Sequence, residues 1–195
     1  MEEVLENYSQ EIYVSRIHRH PDFVTGDSGY TKGSDLALLE MAYEPMTDNY
    51  TRPVCLGNAN SYKDIIDKGK KAECYITGFG MQETEFFQVQ YNRHLKASKV
   101  HVVDPQLCNN LMYYQLDASY VANDAMCLEN REPYAPSNRG DSGGPMVCKD
   151  EHGRFKLFGV TSWGMSGADK NAPTIYVNII YYQEWIESIT GIPLT

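Results

Sequence analysis

One short, glycine-rich stretch carries the residues best suited to covalent chemistry. Gly140-Asp141-Ser142-Gly143-Gly144-Pro145 predicts a tight turn with the Ser142 hydroxyl at its apex. Glycines allow positive φ and let a ligand approach the backbone, so Ser142 is a candidate nucleophile. The amides of Gly140 and Ser142 could converge where an oxyanion develops during acyl transfer. A glycine-rich hairpin with a polar tip is the alternative interpretation.

The elements that must position this turn are mainly short strands. The 15 Gly, 9 Pro and 15 Tyr favour turns and strands over a helical bundle. Apolar runs between turn residues predict strands at residues 74–79, 95–103, 155–163 and 174–181. The run at residues 36–39 predicts a strand buried on both faces. Strands at this spacing indicate a sandwich or a barrel.

Two helices accompany the strands. Asp104 and Pro105 provide an N-cap and a first helical residue for one of them. The other lies near the C-terminus, has one apolar face that docks on the core, and ends at Gly191. The residues of that face are Tyr182, Trp185, Ile186 and Ile189.

Composition and charge exclude several classes of protein. The 195 residues are enough for one large domain or two small ones, and 42% are hydrophobic, so the chain is not disordered. The net charge of −9, without a basic block, argues against binding nucleic acid or anionic lipid. The longest apolar run near the C-terminus, residues 175–182, is too short to span a bilayer.

Five widely spaced cysteines indicate a disulfide-stabilised domain from an oxidising compartment. None form a Cys-x-x-Cys pair, which disfavours a zinc site, and no metal or cofactor is predicted. With one cysteine left over, fifteen pairing schemes remain open by spacing alone. Asn7-Tyr8-Ser9 and Asn49-Tyr50-Thr51 are acceptor motifs for N-glycosylation, which agrees with a secreted protein. Met1-Glu2-Glu3 does not resemble a signal peptide.

The order of motifs resembles that of trypsin-like serine endopeptidases, which have the chymotrypsin fold. Residues 140–145 match the nucleophile motif of that family, residues 34–39 match the segment carrying the triad aspartate, and residues 162–164 match the segment that pairs with substrate. The similarity runs from about Glu11 to Ile189, nearly the whole chain. Other matching segments are residues 53–56, 74–80 and 173–176.

The resemblance implies an all-β double barrel with an incomplete first barrel and a C-terminal helix. Residues 1–65 would form the partial first barrel and linker, 66–181 the second barrel, and 182–191 the helix, all within one peptidase domain, 1–195. An incomplete barrel leaves exposed edges and apolar surface, so the second barrel should be the better-folded half. The family pattern pairs Cys74 with Cys148 and Cys108 with Cys127.

The same resemblance assigns roles to residues of the site. Ser142 would be the nucleophile, Asp35 would orient the general base, and the amides of Gly140 and Ser142 would form the oxyanion hole. Asp141 would accept the activation ion pair. Residues implied to bind substrate are Pro136, Ser137, Arg139, Ser162, Trp163, Gly164 and Thr174.

The chain departs from the family at two essential points. The triad needs a histidine as general base, and the Ala-Ala-His-Cys segment that carries it in relatives is absent. His18 and His20, the only histidines before Asp35, match the strand and turn after that segment. The cleaved apolar N-terminus that would pair with Asp141 is also absent, so we expect an unpartnered carboxylate and a poorly formed oxyanion hole.

The specificity pocket also differs from that of a trypsin. By resemblance, Pro136 occupies the pocket base, where a carboxylate would hold Lys or Arg. Asn138 and Gly167 replace the two cysteines that usually link the pocket walls. Gly164 keeps one wall open, whereas Thr174 replaces a smaller residue and narrows the site. Small or apolar residues are therefore the predicted preference.

Two functions remain open from the sequence. The first is a secreted serine endopeptidase represented by a truncated chain, inactive as given, which acts on polypeptides and is bound by protein inhibitors. The odd Cys55 would then tether an N-terminal segment, although a buried thiol is the alternative. The second is a non-catalytic homologue that works as a binding or regulatory module, which the altered pocket favours.

Overall fold

The computed structural model describes residues 9–26, 32–83, 89–91, 94–116, 122–130, 139–164 and 173–194. Strands dominate this part of the chain. They are β1 (Val14–Arg19), β2 (Ala37–Met41), β3 (Cys55–Leu56), β4 (Cys74–Gly78), β5 (Met81–Glu83), β6 (Val89–Tyr91), β7 (Lys96–Val103), β8 (Ala125–Asn130), β9 (Pro145–Lys149), β10 (Phe155–Gly164) and β11 (Thr174–Asn178). The helices are α1 (Ala59–Lys68), α2 (Pro105–Leu116) and α3 (Gln183–Thr190), with 3₁₀ turns at Gly69–Lys71 and Ile179–Tyr182.

A closed barrel forms the body of the protein. Its strands follow the order β11-β8-β7-β4-β9-β10, and β10 pairs back to β11, so antiparallel pairing closes the ring. Closure leaves these strands without an edge. Strand β3 adds to β10 in parallel, outside the ring. With the C-terminal helix α3, this architecture confirms the all-β prediction and is consistent with the chymotrypsin-like fold.

The barrel interior is filled by side chains from several strands. Successive residues of a strand face opposite sides of a sheet, so alternate positions of β4, β7 and β9 enter the core. The core cluster includes Val100, Met146, Phe158 and Tyr176, each at most 1% exposed. A second cluster lies where α3 docks, around Val177 and Ile186.

Local capping sets the helix boundaries. The Asn58 side chain accepts a hydrogen bond of 3.0 Å from the Ser61 amide, and the Ser61 hydroxyl accepts one of 3.0 Å from the Asn58 amide, which begins α1. The predicted Asp104 cap is present, because its carboxylate accepts from the Gln106 amide at 2.9 Å. Gly191, with φ of +68°, ends α3 as the sequence predicts.

The predicted strand at 174–181 is shorter than expected. Strand β11 ends at Asn178, and a 3₁₀ turn follows from Ile179. The Asn178 side chain accepts a hydrogen bond of 3.1 Å from the Ile180 amide, which caps the turn and ends the strand. The apolar run continues beyond the strand because Ile179 and Tyr182 remain buried in the turn.

Strands β1 and β2 form a separate hairpin beside the barrel. Ile17 pairs with Leu39, and Val14 pairs with Met41. These four side chains are 46–66% exposed, whereas Leu38 on the other face packs against the cluster at α3. The prediction that residues 36–39 are buried on both faces is therefore wrong. In the described part of the chain, no second layer covers the outer face of this hairpin.

Disulfides link strands and helix within the barrel. Cys74 of β4 bonds Cys148 of β9, and the two residues are also direct partners in the antiparallel register. Cys108 of α2 bonds Cys127 of β8. The structure therefore contains both pairs that the family resemblance implies. Cys55 carries a thiol that is exposed, so the alternative of a buried thiol is wrong.

Candidate active site

The turn that carries Ser142 is held rigidly against strand β10. The Gly144 amide donates to the Asp141 carbonyl at 2.9 Å, which closes the turn. The Gly143 amide donates to the Thr161 carbonyl, and the Thr161 amide donates to the Gly144 carbonyl, both at 2.9 Å. Ser142 lies exposed at the tip of this turn. Its hydroxyl is therefore accessible on a fixed backbone.

Glycine is required at two positions of this turn. Gly140 and Gly143 have φ of +97° and +80°, in the region that disfavours side chains.

Within the described residues, no acceptor takes a hydrogen bond from the amide of Gly140 or of Ser142. These N–H groups are the donors that the family resemblance assigns to an oxyanion.

The Asp141 carboxylate lies beneath the turn, against the end of β4. It accepts a hydrogen bond of 2.8 Å from the Gly80 amide. A Cβ atom on Gly78 or Gly80 would collide with this carboxylate, so the two glycines make room for it. The carboxylate is half-buried. The Gly80 amide is thus one hydrogen-bond partner of the Asp141 carboxylate, whereas the expected loss of the activation ion pair stays a prediction.

Asp35 contacts strand β10, the strand that also holds the Ser142 turn. The Ser162 hydroxyl donates a hydrogen bond of 2.6 Å to the Asp35 carboxylate. Ser162 directly follows Thr161, the residue that holds the Ser142 turn. Two consecutive residues of β10 thus anchor Ser142 and Asp35, which are far apart in the sequence.

A buried acid that the sequence analysis missed supports the Asp35 segment. Asp124 is 6% exposed, and its carboxylate accepts a 2.6 Å hydrogen bond from the Ser34 amide. The Tyr182 hydroxyl donates to the same carboxylate and lies 3.2 Å from the Ser34 hydroxyl. Ser34 has φ of +58°, an unusual backbone conformation for a residue with a side chain. Asp124 therefore stabilises a strained residue immediately before Asp35.

The environment of Tyr182 changes its acidity. Burial, together with the hydrogen bond to Asp124, raises the pKa of the Tyr182 phenol well above its ordinary value. The phenol therefore stays protonated and continues to donate to the carboxylate. Asp124 stands in the stretch Ala122-Asn123-Asp124-Ala125-Met126, which has no local pattern that separates it from a surface acid.

The histidines contact other groups. His18 lies 3.1 Å from the Glu40 carboxylate, and His101 lies 2.7 Å from that of Glu129. His20, which lies just beyond β1, packs its ring against Tyr182 and Trp185. The remaining two, His94 and His152, are exposed, and His152 lies 3.5 Å from its neighbour Glu151.

The predicted pocket residues are only partly described. Gly164 and Thr174 are direct partners in the β10–β11 register, and a Cβ on Gly164 would meet the Thr174 methyl at 3.2 Å. Trp163 packs against the cluster around Met112 and Ile175. The exposed Arg139 accepts a hydrogen bond of 2.9 Å at its carbonyl from the Met81 amide. Pro136, Ser137, Asn138 and Gly167 lie outside the described residues.

Comparison with known proteins assigns this architecture to a family. The family model described as Trypsin matches residues 3–186. The chain therefore belongs to the trypsin family, whose members are serine endopeptidases.

Particular relatives share about a third of their aligned residues with this chain. It is 30% identical over 187 residues to urokinase-type plasminogen activator of Gallus gallus, covering 94% of this chain and 40% of the relative. It is 32% identical to transmembrane protease serine 9 of Rattus norvegicus, covering 91% and 15%. It is 27% identical to human testisin, covering 95% and 55%. The chain thus spans little more than half, or less, of each of these relatives.

No helix among the described residues has both the length and the apolar character needed to cross a membrane.

Proposed function

We propose that Ser142 is the nucleophile of a serine endopeptidase site and that Asp35 orients its general base. One observation carries this proposal: Thr161 and Ser162, neighbours on β10, bind the Ser142 turn and the Asp35 carboxylate respectively. A rigid strand that fixes both groups suits a reaction that depends on positioning. The family match supports peptide-bond hydrolysis as the chemistry.

The reaction would proceed through an acyl-enzyme. The Ser142 oxygen attacks the scissile carbonyl carbon as a base removes its proton, and the carbonyl oxygen becomes an oxyanion. The amides of Gly140 and Ser142 would stabilise this charge. The leaving amine takes a proton from the base, and water then hydrolyses the ester at Ser142. Asp141 would hold the turn in shape through its hydrogen bond to Gly80.

We further propose that residues 1–195 alone do not complete this site. Proton transfer needs a histidine between Asp35 and Ser142, and the histidine contacts described above include neither residue. In serine proteases as a class, loss of one triad member leaves only about 10³- to 10⁴-fold catalysis over water. The isolated chain is therefore inactive by ordinary peptidase standards.

The proposed substrate class rests on residues to which the family resemblance assigns substrate binding. Ser162, Trp163 and Gly164 would pair with the backbone of a polypeptide substrate or of a protein inhibitor. Thr174 lies directly beside Gly164, which supports a narrow pocket and a preference for small or apolar side chains. Pro136, Ser137 and Arg139 are proposed as the remaining substrate-binding residues.

The proposal also includes an extracellular location and a disulfide bond between Cys55 and an N-terminal segment. The disulfides Cys74–Cys148 and Cys108–Cys127 suit an oxidising compartment. The thiol of Cys55 is exposed on β3, where a cysteine of an N-terminal segment could reach it. Intact-mass measurement of the secreted protein before and after reduction tests this attachment, because reduction would release the tethered segment.

Labelling with a fluorophosphonate probe tests the assignment of Ser142 and the inactivity together. The 195-residue chain and its S142A variant are incubated with the probe, and release of p-nitrophenol from an acetyl ester is measured with and without added imidazole. We expect no labelling without imidazole. With imidazole, which supplies the missing base, we expect the unmodified chain to release p-nitrophenol faster than S142A.

Each part of the proposal has its own contrary result. Stoichiometric labelling without imidazole that S142A abolishes would show that the chain is active alone. Equal ester hydrolysis by the unmodified chain and S142A, at every imidazole concentration, would show that Ser142 is not a nucleophile. The S142A reaction also measures the catalysis that comes from imidazole in solution.

A non-catalytic binding or regulatory module is the second candidate function. The observation that favours it is the close approach of Thr174 to Gly164, which restricts entry of a substrate side chain. Such a protein would bind a polypeptide without cleaving it, even with imidazole present. Stable binding of a peptide that stays intact over the assay would favour this function.

A further inference from the structure

A tight loop between β2 and β3 presents the Asn49-Tyr50-Thr51 motif at the surface. The Asp48 carboxylate accepts hydrogen bonds of 2.7 Å from the amides of both Tyr50 and Thr51. The Asp48 amide in turn donates to the Thr51 carbonyl at 3.0 Å. These bonds close the turn around Asn49. Asn49 and Tyr50 are both exposed, Tyr50 by 72%.

Gln10 contacts this loop on both sides of Asn49, at Met46 and Thr51. Its side-chain amide nitrogen donates to the Met46 carbonyl at 2.9 Å, and its side-chain oxygen accepts from the Met46 amide at 2.8 Å. The same nitrogen lies 3.4 Å from the Thr51 hydroxyl. The loop therefore has a defined conformation, and a group attached at the exposed Asn49 would not displace a packed side chain.

We propose that Asn49 is an N-glycosylation site. The motif has the required Asn-x-Thr pattern, and its middle residue, Tyr50, is not proline. The Asn49 side-chain oxygen accepts from the Arg52 guanidinium at 3.3 Å, and its amide nitrogen makes no hydrogen bond to the described residues. This nitrogen is the atom that the glycan modifies.

The bond that forms joins the Asn49 side-chain nitrogen to the anomeric carbon of an oligosaccharide. The donor is an oligosaccharide on a lipid diphosphate. The bond between its anomeric carbon and the diphosphate oxygen breaks, and the lipid diphosphate leaves with the electron pair. The Asn49 nitrogen loses one proton, and nothing is oxidised or reduced.

The surroundings of the loop suit a carbohydrate. Tyr43, Met46 and Tyr50 are 54–74% exposed and lie within this one segment. A large hydrophilic group at Asn49 would raise the solubility of this apolar surface. The disulfides Cys74–Cys148 and Cys108–Cys127 suit passage through an oxidising compartment. The inference rests on the proposed extracellular location and not on catalysis.

The test uses the full chain behind a cleavable signal sequence in a eukaryotic secretory cell. N7Q removes the other acceptor motif, which begins outside the described residues. N49Q, T51A and T51S are each added to the N7Q chain, and intact mass is measured with and without peptide-N-glycosidase F. We expect one glycan on the N7Q chain, its loss in N49Q and T51A, and its retention in T51S, which keeps the hydroxyl.

The contrary result is equally defined. An N7Q chain that enters the secretory compartment, shown by removal of its signal, yet carries no glycan would overturn the proposal. All translocated material is measured, folded or not, so a variant that fails to fold still reports its glycan. S142A in the N7Q chain should leave the glycan unchanged, which separates this result from the proposed peptidase function.

Discussion

The Ser162 hydroxyl donates a 2.6 Å hydrogen bond to the Asp35 carboxylate, across 127 positions of sequence. This bond joins the hairpin segment to the barrel at the strand that also holds the Ser142 turn. It therefore couples the stability of the site to that of the junction between the two sheets. A hydrogen bond to a charged group contributes more to stability than one between neutral groups.

Replacing Ser162 tests this coupling. S162A removes the donor and leaves the half-buried Asp35 carboxylate without it, so the free energy of unfolding should fall by about 1–3 kcal/mol. Urea denaturation gives this value. The matched control is S188A, whose exposed hydroxyl donates to the Trp185 carbonyl in helix α3 and should change stability by less than about 0.5 kcal/mol. Equal effects of the two variants would contradict the prediction.

Asp124 should be among the most sensitive positions outside the barrel core. D124A leaves the Ser34 amide and the Tyr182 hydroxyl without their acceptor, at a cost of about 2–4 kcal/mol. Y182F removes one donor and leaves the carboxylate bound to Ser34, so it should cost about half as much. Chemical denaturation of both variants gives the comparison. D67N, in the exposed pair between Lys63 and Asp67, should have almost no effect.

Asp150, in the turn between β9 and β10, should make the protein less stable as the pH falls into the acid range. Hydrogen bonds from the Arg154 backbone amide, and then from the Arg154 side chain and the His152 amide, lower the pKa of Asp150. The pKa of Asp150 is lower in the folded protein than in the unfolded chain. The stabilisation by its ionised carboxylate is therefore complete above the unfolded-state pKa, and it is lost as the pH falls through the folded-state pKa. Melting temperatures of the unmodified chain and D150N should therefore differ near pH 7 and converge as the pH falls through the folded-state pKa of Asp150. A constant difference across this range would show that protonation is not responsible.

The two disulfides should contribute different amounts to the free energy of unfolding. Cys74–Cys148 spans 74 positions and Cys108–Cys127 spans 19, so loop-closure entropy predicts about 4 and about 3 kcal/mol respectively. Double alanine variants of each pair, unfolded under oxidising conditions, measure the two costs. C55S should leave stability unchanged because Cys55 is exposed and outside both bonds. A larger cost for the shorter loop would contradict the entropic argument.

Hydrogen exchange should separate the hairpin from the barrel. Strands β1 and β2 pair only with each other in the described structure, and most of their residues are exposed. The amides of β4, β7 and β9 lie within a closed ring, so they should exchange more slowly. Mass spectrometry of peptides from both regions gives the rates. Equal protection would mean that the hairpin and the barrel open as one unit.

Residue patterns predicted the features of the fold that depend on short stretches of chain. The Asp104 cap and the turn at Gly140–Gly144 each depend on neighbouring residues, and both are present. Of the predicted apolar face, Tyr182, Trp185 and Ile186 pack against the core, whereas Ile189 is 40% exposed, so its predicted docking is wrong. Burial of Leu39 was predicted wrongly, because an apolar run cannot reveal whether another layer covers it. Leu39 is 57% exposed on the outer face of the hairpin.

Other features depend on contacts that are distant in sequence. Asp124 binds Ser34 and Tyr182, which lie 90 and 58 positions away, so no local pattern distinguishes it from a surface acid. Helix α1 was missed because its capping pair is Asn58 and Ser61, without the glutamate or glutamine of the usual motif, and because Ile65 is its one buried residue among those described. The disulfide pairing came from family resemblance, since spacing alone left fifteen schemes open.

The strand that closes the barrel comes late in the chain, so the barrel can close only near the end of synthesis. Strand β11 completes the ring by pairing with both β8 and β10. While a ribosome is still translating the preceding residues, β8 and β10 each keep an unpaired edge, and the nascent chain holds an open, curled sheet. The barrel can therefore close only after residues 174–178 have emerged from the ribosome. Until then, the exposed strand edges can pair with other chains.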